Sequence, residues 1–181
     1  MGYLNIYTDG ACSNNQEKNN FGGYGAILEY GSVKKELYGG EKNTTNNRME
    51  MKALLNAFGA ITKEGQKIRV FSDSAYLMNC FKKKWYKEWQ KNGWKTKSGK
   101  PVENRDLWEK LIFYLDSHHI SFYKVKGHVN LNGNKETLLS LYETFKEHNG
   151  KGFTYDDFIY ITEMNQRADE LANWGIDEVR A

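Results

Sequence analysis

The chain has 181 residues, a formal net charge of +3, 39% hydrophobic and 14% aromatic side chains. That is enough apolar material for one domain with a sizeable core, in spite of a mean hydropathy of -0.78. One proline and 17 glycines exclude collagen-like and proline-rich designs. There is no run of about 18 apolar residues to span a membrane. Cys12 and Cys80 cannot build a disulfide framework and fit no zinc spacing. The amino terminus MGYLNIYTDG lacks a basic region followed by an apolar stretch, so a reduced, cytoplasmic chain is expected.

In chain order, LNIYTD, GYGAILEY and KKELYGG read as strands separated by glycine-rich turns. TTNNRMEMKALLNAFGAIT reads as a helix, with Met49, Ala53, Ala57 and Ile61 at four-residue spacing. IRVFSD is a short strand ending on Asp73, and SAYLMNCFKKKW begins a helical region closed by Asn92-Gly93. NRDLWEKLIFYLDSH is an amphipathic helix, ISFYKVKGH a strand, and NQRADELANWG a terminal helix ending on Gly175. Strands first, then alternating helices and strands, imply an α/β fold with a mixed sheet flanked by helices.

Within this frame, residues 82–100 carry eight lysines against one glutamate, with Trp85, Trp89 and Trp94 among them. Lysine interleaved with tryptophan suits a nucleic-acid backbone, because the charges neutralise phosphates and the flat rings meet sugars or bases. A solvated amphipathic helix whose tryptophans form a small core reads the same stretch equally well.

The carboxylates at strand ends are more informative. Asp9 ends the first strand and Asp73 the fourth, so adjacent parallel strands would bring both to the ligand edge of an open sheet. Glu50 lies in an otherwise apolar helical turn, and Asp169 early in the last helix. Four clustered carboxylates repel one another unless cations fill the gap, and hard oxygen ligands suit Mg²⁺ or Mn²⁺. Asp9 and Asp73 are also ordinary turn or cap residues, and spacing alone does not bring all four together.

YTDGACSNN, GGYGAIL, TTNNRMEMKAL, FSDSAYL, WYKEWQKNGWKTKSGKPVENRDLWEKL, YKVKGH and NQRADELA occur in the order found in type I ribonuclease H. The chain resembles that family over residues 3–130 and 165–175. The resemblance implies a ribonuclease H-like fold with a five-stranded mixed sheet, three strands antiparallel and the others parallel. It also implies an endonuclease that hydrolyses the RNA strand of RNA–DNA hybrids with two Mg²⁺ ions (Mn²⁺ also serving), leaving 5′-phosphate and 3′-hydroxyl ends.

Asp9, Glu50, Asp73 and Asp169 match the family's metal-holding carboxylates, Asp9 bridging both ions, and His128 matches a loop histidine that assists proton transfer or product release. Cys12, Asn15, Asn46 and Asn47 match positions lining the minor groove, and Thr45 and Asn104 a pocket for a DNA-strand phosphate. The family often adds an arginine there, where this chain has Asn43. Lys82, Lys83, Lys84, Trp85, Lys87, Trp89 and Trp94 match the family's hybrid-binding handle, about residues 82–104. The alternative of an inactive hybrid-binding module is disfavoured by intact matches at all four carboxylates and His128.

A single domain over residues 1–181 is therefore expected, acting as a monomer with no membrane partner. One departure is large: His128 and Asp169 stand 41 positions apart, where the family has a short loop. The inserted residues 131–164 are net acidic and place Leu138, Leu141, Tyr142 and Phe145 at helical spacing, with Thr154 as a later cap. A helical pair is expected, with its Leu138–Phe145 face packing on Phe153, Phe158 and Ile161 as a subdomain beside the site. It would restrict the histidine loop, dock a protein partner, or simply decorate the fold.

Overall fold

Ile6 and Tyr7 point to opposite faces of one strand and both are buried, which marks that strand as the middle of a sheet covered on two sides. In the computed structural model, which describes residues 2–13 and 19–181, it is β1 (Leu4–Ser13). The sheet order is β3 (Val33–Lys42), β2 (Phe21–Tyr30), β1, β4 (Lys67–Ser72), β5 (His119–Lys124). β1, β2 and β3 pair antiparallel, while β4 and β5 run parallel to β1, as the sequence leads one to expect.

One face carries Ile6, Ala26, Leu28, Ile68 and Val70 against α1 (Asn46–Gly59), α2 (Ala75–Lys82) and α4 (Arg105–Ser117). α3 (Trp85–Lys91) follows α2 after a left-handed turn at Lys84. On the other face Tyr7, Ile27 and Phe71 pack against α5 (Lys135–Asn149) and α6 (Tyr155–Arg180). No helix among the described residues is long and apolar enough to cross a membrane.

Three expectations are corrected. β1 does not end at Asp9. Its ladder with β4 stops at Thr8–Ser72, but pairing with β2 carries the strand on to Ser13. Nor are the inserted helix after Thr154 and the terminal helix separate. They form the single 26-residue α6, started by a capping box between Thr154 and Asp157, so Asp169 lies well inside a helix. Gly175 does not stop that helix: a Cβ there would stand 2.0 Å from the Gly39 carbonyl oxygen, so glycine lets α6 lie directly on β3.

The insertion is also no subdomain of its own. Phe145, Phe153, Phe158 and Ile161 share one apolar cluster with Tyr7, Phe71 and Val125 of the sheet layer. Phe153 meets Tyr123 edge to face at 5.1 Å between ring centroids and Phe145 at 5.2 Å. Tyr142 donates its hydroxyl to the Phe153 carbonyl at 2.6 Å, tying α5 to the turn before α6. The inserted residues thus form part of the lid over the β1–β4–β5 half of the sheet.

Candidate active site

The sheet delivers two carboxylates to one place because β1 and β4 are parallel neighbours. Asp9 sits where β1 parts from β4, and Asp73 directly follows β4. α1 crosses beneath and turns Glu50 inward, among the buried Met49, Met51, Ala53 and Leu54. One oxygen from each of Asp9, Glu50 and Asp73 lies within 4.8 Å of the others. The Gly10 N–H donates to Asp9 Oδ1 at 2.9 Å, while Glu50 Oε2 is buried with no hydrogen-bond partner.

Burial and mutual repulsion dominate the electrostatics. Asp9 is pushed up to about 8, first by burial and then by the Asp73 charge, with Asp169 adding to the same direction. Glu50 is raised well above the ordinary carboxylate range, by burial first and then by Asp9 and Asp73. Asp73 is raised by burial too, and partly relieved by hydrogen bonds from Asp9 and Asn165 and by the His128 charge. Asp169, on α6, adds its charge to Asp9 and Asp73 without belonging to the tight cluster. Crowded carboxylates, one with an unpartnered buried oxygen, fit a divalent cation bound through hard oxygen ligands.

The sequence comparisons agree with this geometry. The RNase H family model matches residues 1–137. The ribonuclease H of Chlorobaculum parvum is 52% identical over 125 residues, covering 69% of this chain and 83% of that protein. The chain belongs to the ribonuclease H family. The ribonuclease H of Clostridium botulinum is 40% identical over 173 residues, 96% of this chain and 95% of its own length. The crystal structure of LC9-RNase H1, a type 1 RNase H with the type 2 active-site motif, is 25% identical with a TM-score of 0.61, covering 90% of this chain and 84% of that one.

Beside these carboxylates, Asn46, Asn47, Tyr76, Gly127 and His128 line an open cleft together with Glu50 and Asp73. His128 is exposed at its rim in a left-handed conformation, φ 57°. Gly127 passes so close that a Cβ there would lie 2.5 Å from Asp73 Oδ2. Cys12 is half-buried, with its thiol pushed up by burial and directed at the Thr44 and Ser13 carbonyls at 3.7 Å. Asn15 lies outside the described residues.

Thr45 caps α1, its hydroxyl accepting from the Arg48 N–H at 3.2 Å, and Asn104 precedes α4 with φ 59°. Arg48 links the two, its Nη1 donating to Asn104 Oδ1 at 3.4 Å. A guanidinium therefore stands at this pair although Asn43 replaces the family's arginine. Glu41 and Asp106 already engage it.

The basic stretch splits by residue type. Trp85, Trp89 and Trp94 are half-buried against the helical core, Trp89 meeting Trp108 edge to face at 5.4 Å between centroids. Lys82, Lys83, Lys84 and Lys87 are exposed. The small-core reading thus describes the tryptophans, and the lysines form an exposed cationic surface, with Lys83 lying over the Trp85 ring.

Sequence reading overlooked Asn165, Gln166 and Arg48. Asn165 is buried and hydrogen-bonds Asp73 from one turn before Asp169, an i, i+4 spacing that could have flagged it. Gln166 Nε2 donates to the Val129 carbonyl at 2.6 Å, beside His128, and nothing in its sequence surroundings marks it.

Proposed function

We propose that this ribonuclease H cleaves the RNA strand of RNA–DNA hybrids with two divalent cations, Mg²⁺ or Mn²⁺, leaving 5′-phosphate and 3′-hydroxyl ends. The observation that carries the reading is the Asp9–Glu50–Asp73 cluster, open to a cleft whose rim bears Asn46, Asn47 and His128. Asp9, Glu50, Asp73 and Asp169 would hold the cations. When bound, these supply charge to the crowded phosphorus of the transition state and lower the pKa of water towards neutrality.

The chain's own groups then orient the substrate. The side-chain amides of Asn46 and Asn47, at the start of α1, offer donors and acceptors to minor-groove edges and 2′-hydroxyls without reading sequence. Thr45 and Asn104 receive a DNA-strand phosphate, and the Cys12 segment borders the same groove. His128 carries a proton between bulk water and the cleft at its exposed imidazole. Water attacks phosphorus, the bond to the 3′ oxygen breaks, and that oxygen leaves as the RNA 3′-hydroxyl.

Labelled hybrid, duplex DNA, duplex RNA and single strands, each with and without Mg²⁺, test the reading. Cleavage confined to the hybrid's RNA strand and dependent on Mg²⁺ is expected, and equal cutting of duplex DNA overturns it.

Gly127→Ala is expected to lower kcat at least tenfold with little change in KM, because the new methyl displaces either Asp73 or the His128 loop. Steady-state kinetics on a hybrid substrate check this. Joint replacement of Lys82, Lys83, Lys84 and Lys87 by alanine is expected to raise KM and flatten the salt dependence of hybrid binding. Each lost phosphate contact takes about 0.9 off the log–log slope. An unchanged slope would show that these lysines form only a solvated face.

A further inference from the structure

The segment from Lys124 to Val129 carries His128 past Asp73, and side chains from outside it fix both ends. At the far end Gln166 donates to the Val129 carbonyl at 2.6 Å. At the near end stands Asn149, the last residue of α5 and part of the insertion. Its Nδ2 donates to the Lys124 carbonyl at 2.7 Å, and its Oδ1 accepts from the Lys124 N–H at 3.0 Å. β5 is an edge strand, so these backbone groups have no neighbouring strand to pair with. One side-chain amide therefore replaces the missing strand at the residue where β5 becomes the histidine loop.

Packing holds the ends of this segment, where Val125 and Val129 are buried, but not its middle. A cavity of about 300 Å³ separates Lys126 and Gly127 from Leu141, Phe145 and Phe158 of the insertion. Where the backbone at Lys126 and Gly127 faces this open pocket, it has fewer van der Waals contacts to hold it in one place. His128 is nonetheless kept at φ 57°, an uncommon conformation for a non-glycine residue. At the near end the constraints are the buried Val125 side chain and two sets of hydrogen bonds: Asn149 to Lys124, and the Val125 N–H to the Ser72 carbonyl at 2.9 Å.

We infer that Asn149 is a positioning residue for the reaction: by pairing with both backbone groups of Lys124, it sets where His128 stands relative to Asp73. The insertion then acts on catalysis through the histidine loop rather than by extending the substrate-binding face. This inference rests on the role given to His128 above.

The test is a double-mutant cycle on the full chain with a labelled hybrid. Asn149→Ala is expected to lower kcat about tenfold with KM within about twofold, since the loop is misplaced and the groove untouched. In a His128→Ala background the same substitution is expected to cost nothing further, and Asn149→Gln, which keeps an amide donor and acceptor, to recover part of the loss. Tyr142→Phe removes a different hydrogen bond of the insertion, to the Phe153 carbonyl, and is expected to lower Tm while leaving kcat alone.

An unchanged kcat in Asn149→Ala overturns the inference, as does a loss of equal size with and without His128, which marks a structural role. Should Asn149→Ala not fold, Asn149→Asp is read by the same criteria, since it matches in size and keeps the acceptor for the Lys124 N–H. A parent chain that fails to cut the hybrid refutes the functional reading instead, so the two failures are distinguishable.

Discussion

An Asp9→Asn variant is expected to lose all metal-dependent cleavage and yet, in chelator at pH 8, to unfold at a higher temperature than the parent. Both outcomes follow from the same crowding. Asp9 is buried beside Glu50 and Asp73, and its pKa is pushed up to about 8. A carboxyl group whose folded pKa exceeds its unfolded value binds more protons folded than unfolded. The metal-free parent therefore loses stability as pH rises from the unfolded carboxylate range, about 4, through the folded value.

Neutralising Asp9 removes one of the repelling charges, and a gain of about 1–2 kcal/mol at pH 8 corresponds to roughly 2–8 °C in Tm. Melting curves in chelator between pH 5 and 8 check this: the parent's Tm should fall across the window and the variant's should fall less. Added Mg²⁺ should raise the parent's Tm more than the variant's, because binding to the folded state stabilises it. Hybrid binding should persist. Appreciable Mg²⁺-dependent cutting by the variant would remove Asp9 from the site.

Phe158→Ala is expected to be strongly destabilising. Phe158 is buried on the insertion side of the sheet, with the Phe145 ring centroid at 5.5 Å and that of Tyr142 at 5.8 Å. Truncating a buried phenylalanine costs about 3–5 kcal/mol, which at this chain length lowers Tm by roughly 10 °C. Replacing residues 131–152 with a brief loop should go further and abolish a cooperative transition, since Phe145 leaves with α5 and the β4–β5 half of the sheet is uncovered. Thermal and urea unfolding check both. A shortened chain with the parent's Tm would show that the insertion is decoration.

The strands themselves were legible from local pattern. The meeting of Asp9 with Asp73 was legible only on the condition that the first and fourth strands are parallel neighbours, and the five-stranded sheet came from the family resemblance. The structure meets that condition, with Asp9 where β1 parts from β4 rather than at the end of β1. Glu50 was legible as an acidic residue in an apolar turn. The continuity of α6 was harder, since Asn165 and Gln166 interrupt the apolar stripe and suggested a new start. The available signal was negative: no glycine or proline stands between Thr154 and Gly175. Gly175 itself looked like a helix stop, because local propensity cannot see that β3 needs the space. The break at Lys84 was illegible for the opposite reason, as a lysine takes the left-handed conformation that usually announces glycine. The fate of Trp89 depended on Trp108, distant in sequence, and periodicity alone could not choose between ligand and core for the handle tryptophans.

Because α6 runs unbroken from the insertion to Asp169, the fourth carboxylate is keyed to a rigid rod about 39 Å long. A helix turns about 100° per residue, so adding or deleting one residue between Ile161 and Asp169 would swing the carboxylate away from the trio while Phe158 kept its seat. Length variation is better tolerated in the loops that flank α5, because α5 must keep Leu138, Phe145 and Asn149 in phase in the same way. The rod converts a question of loop length into one of rotational phase, and relatives that vary in this region should preserve the spacing from Phe158 to Asp169.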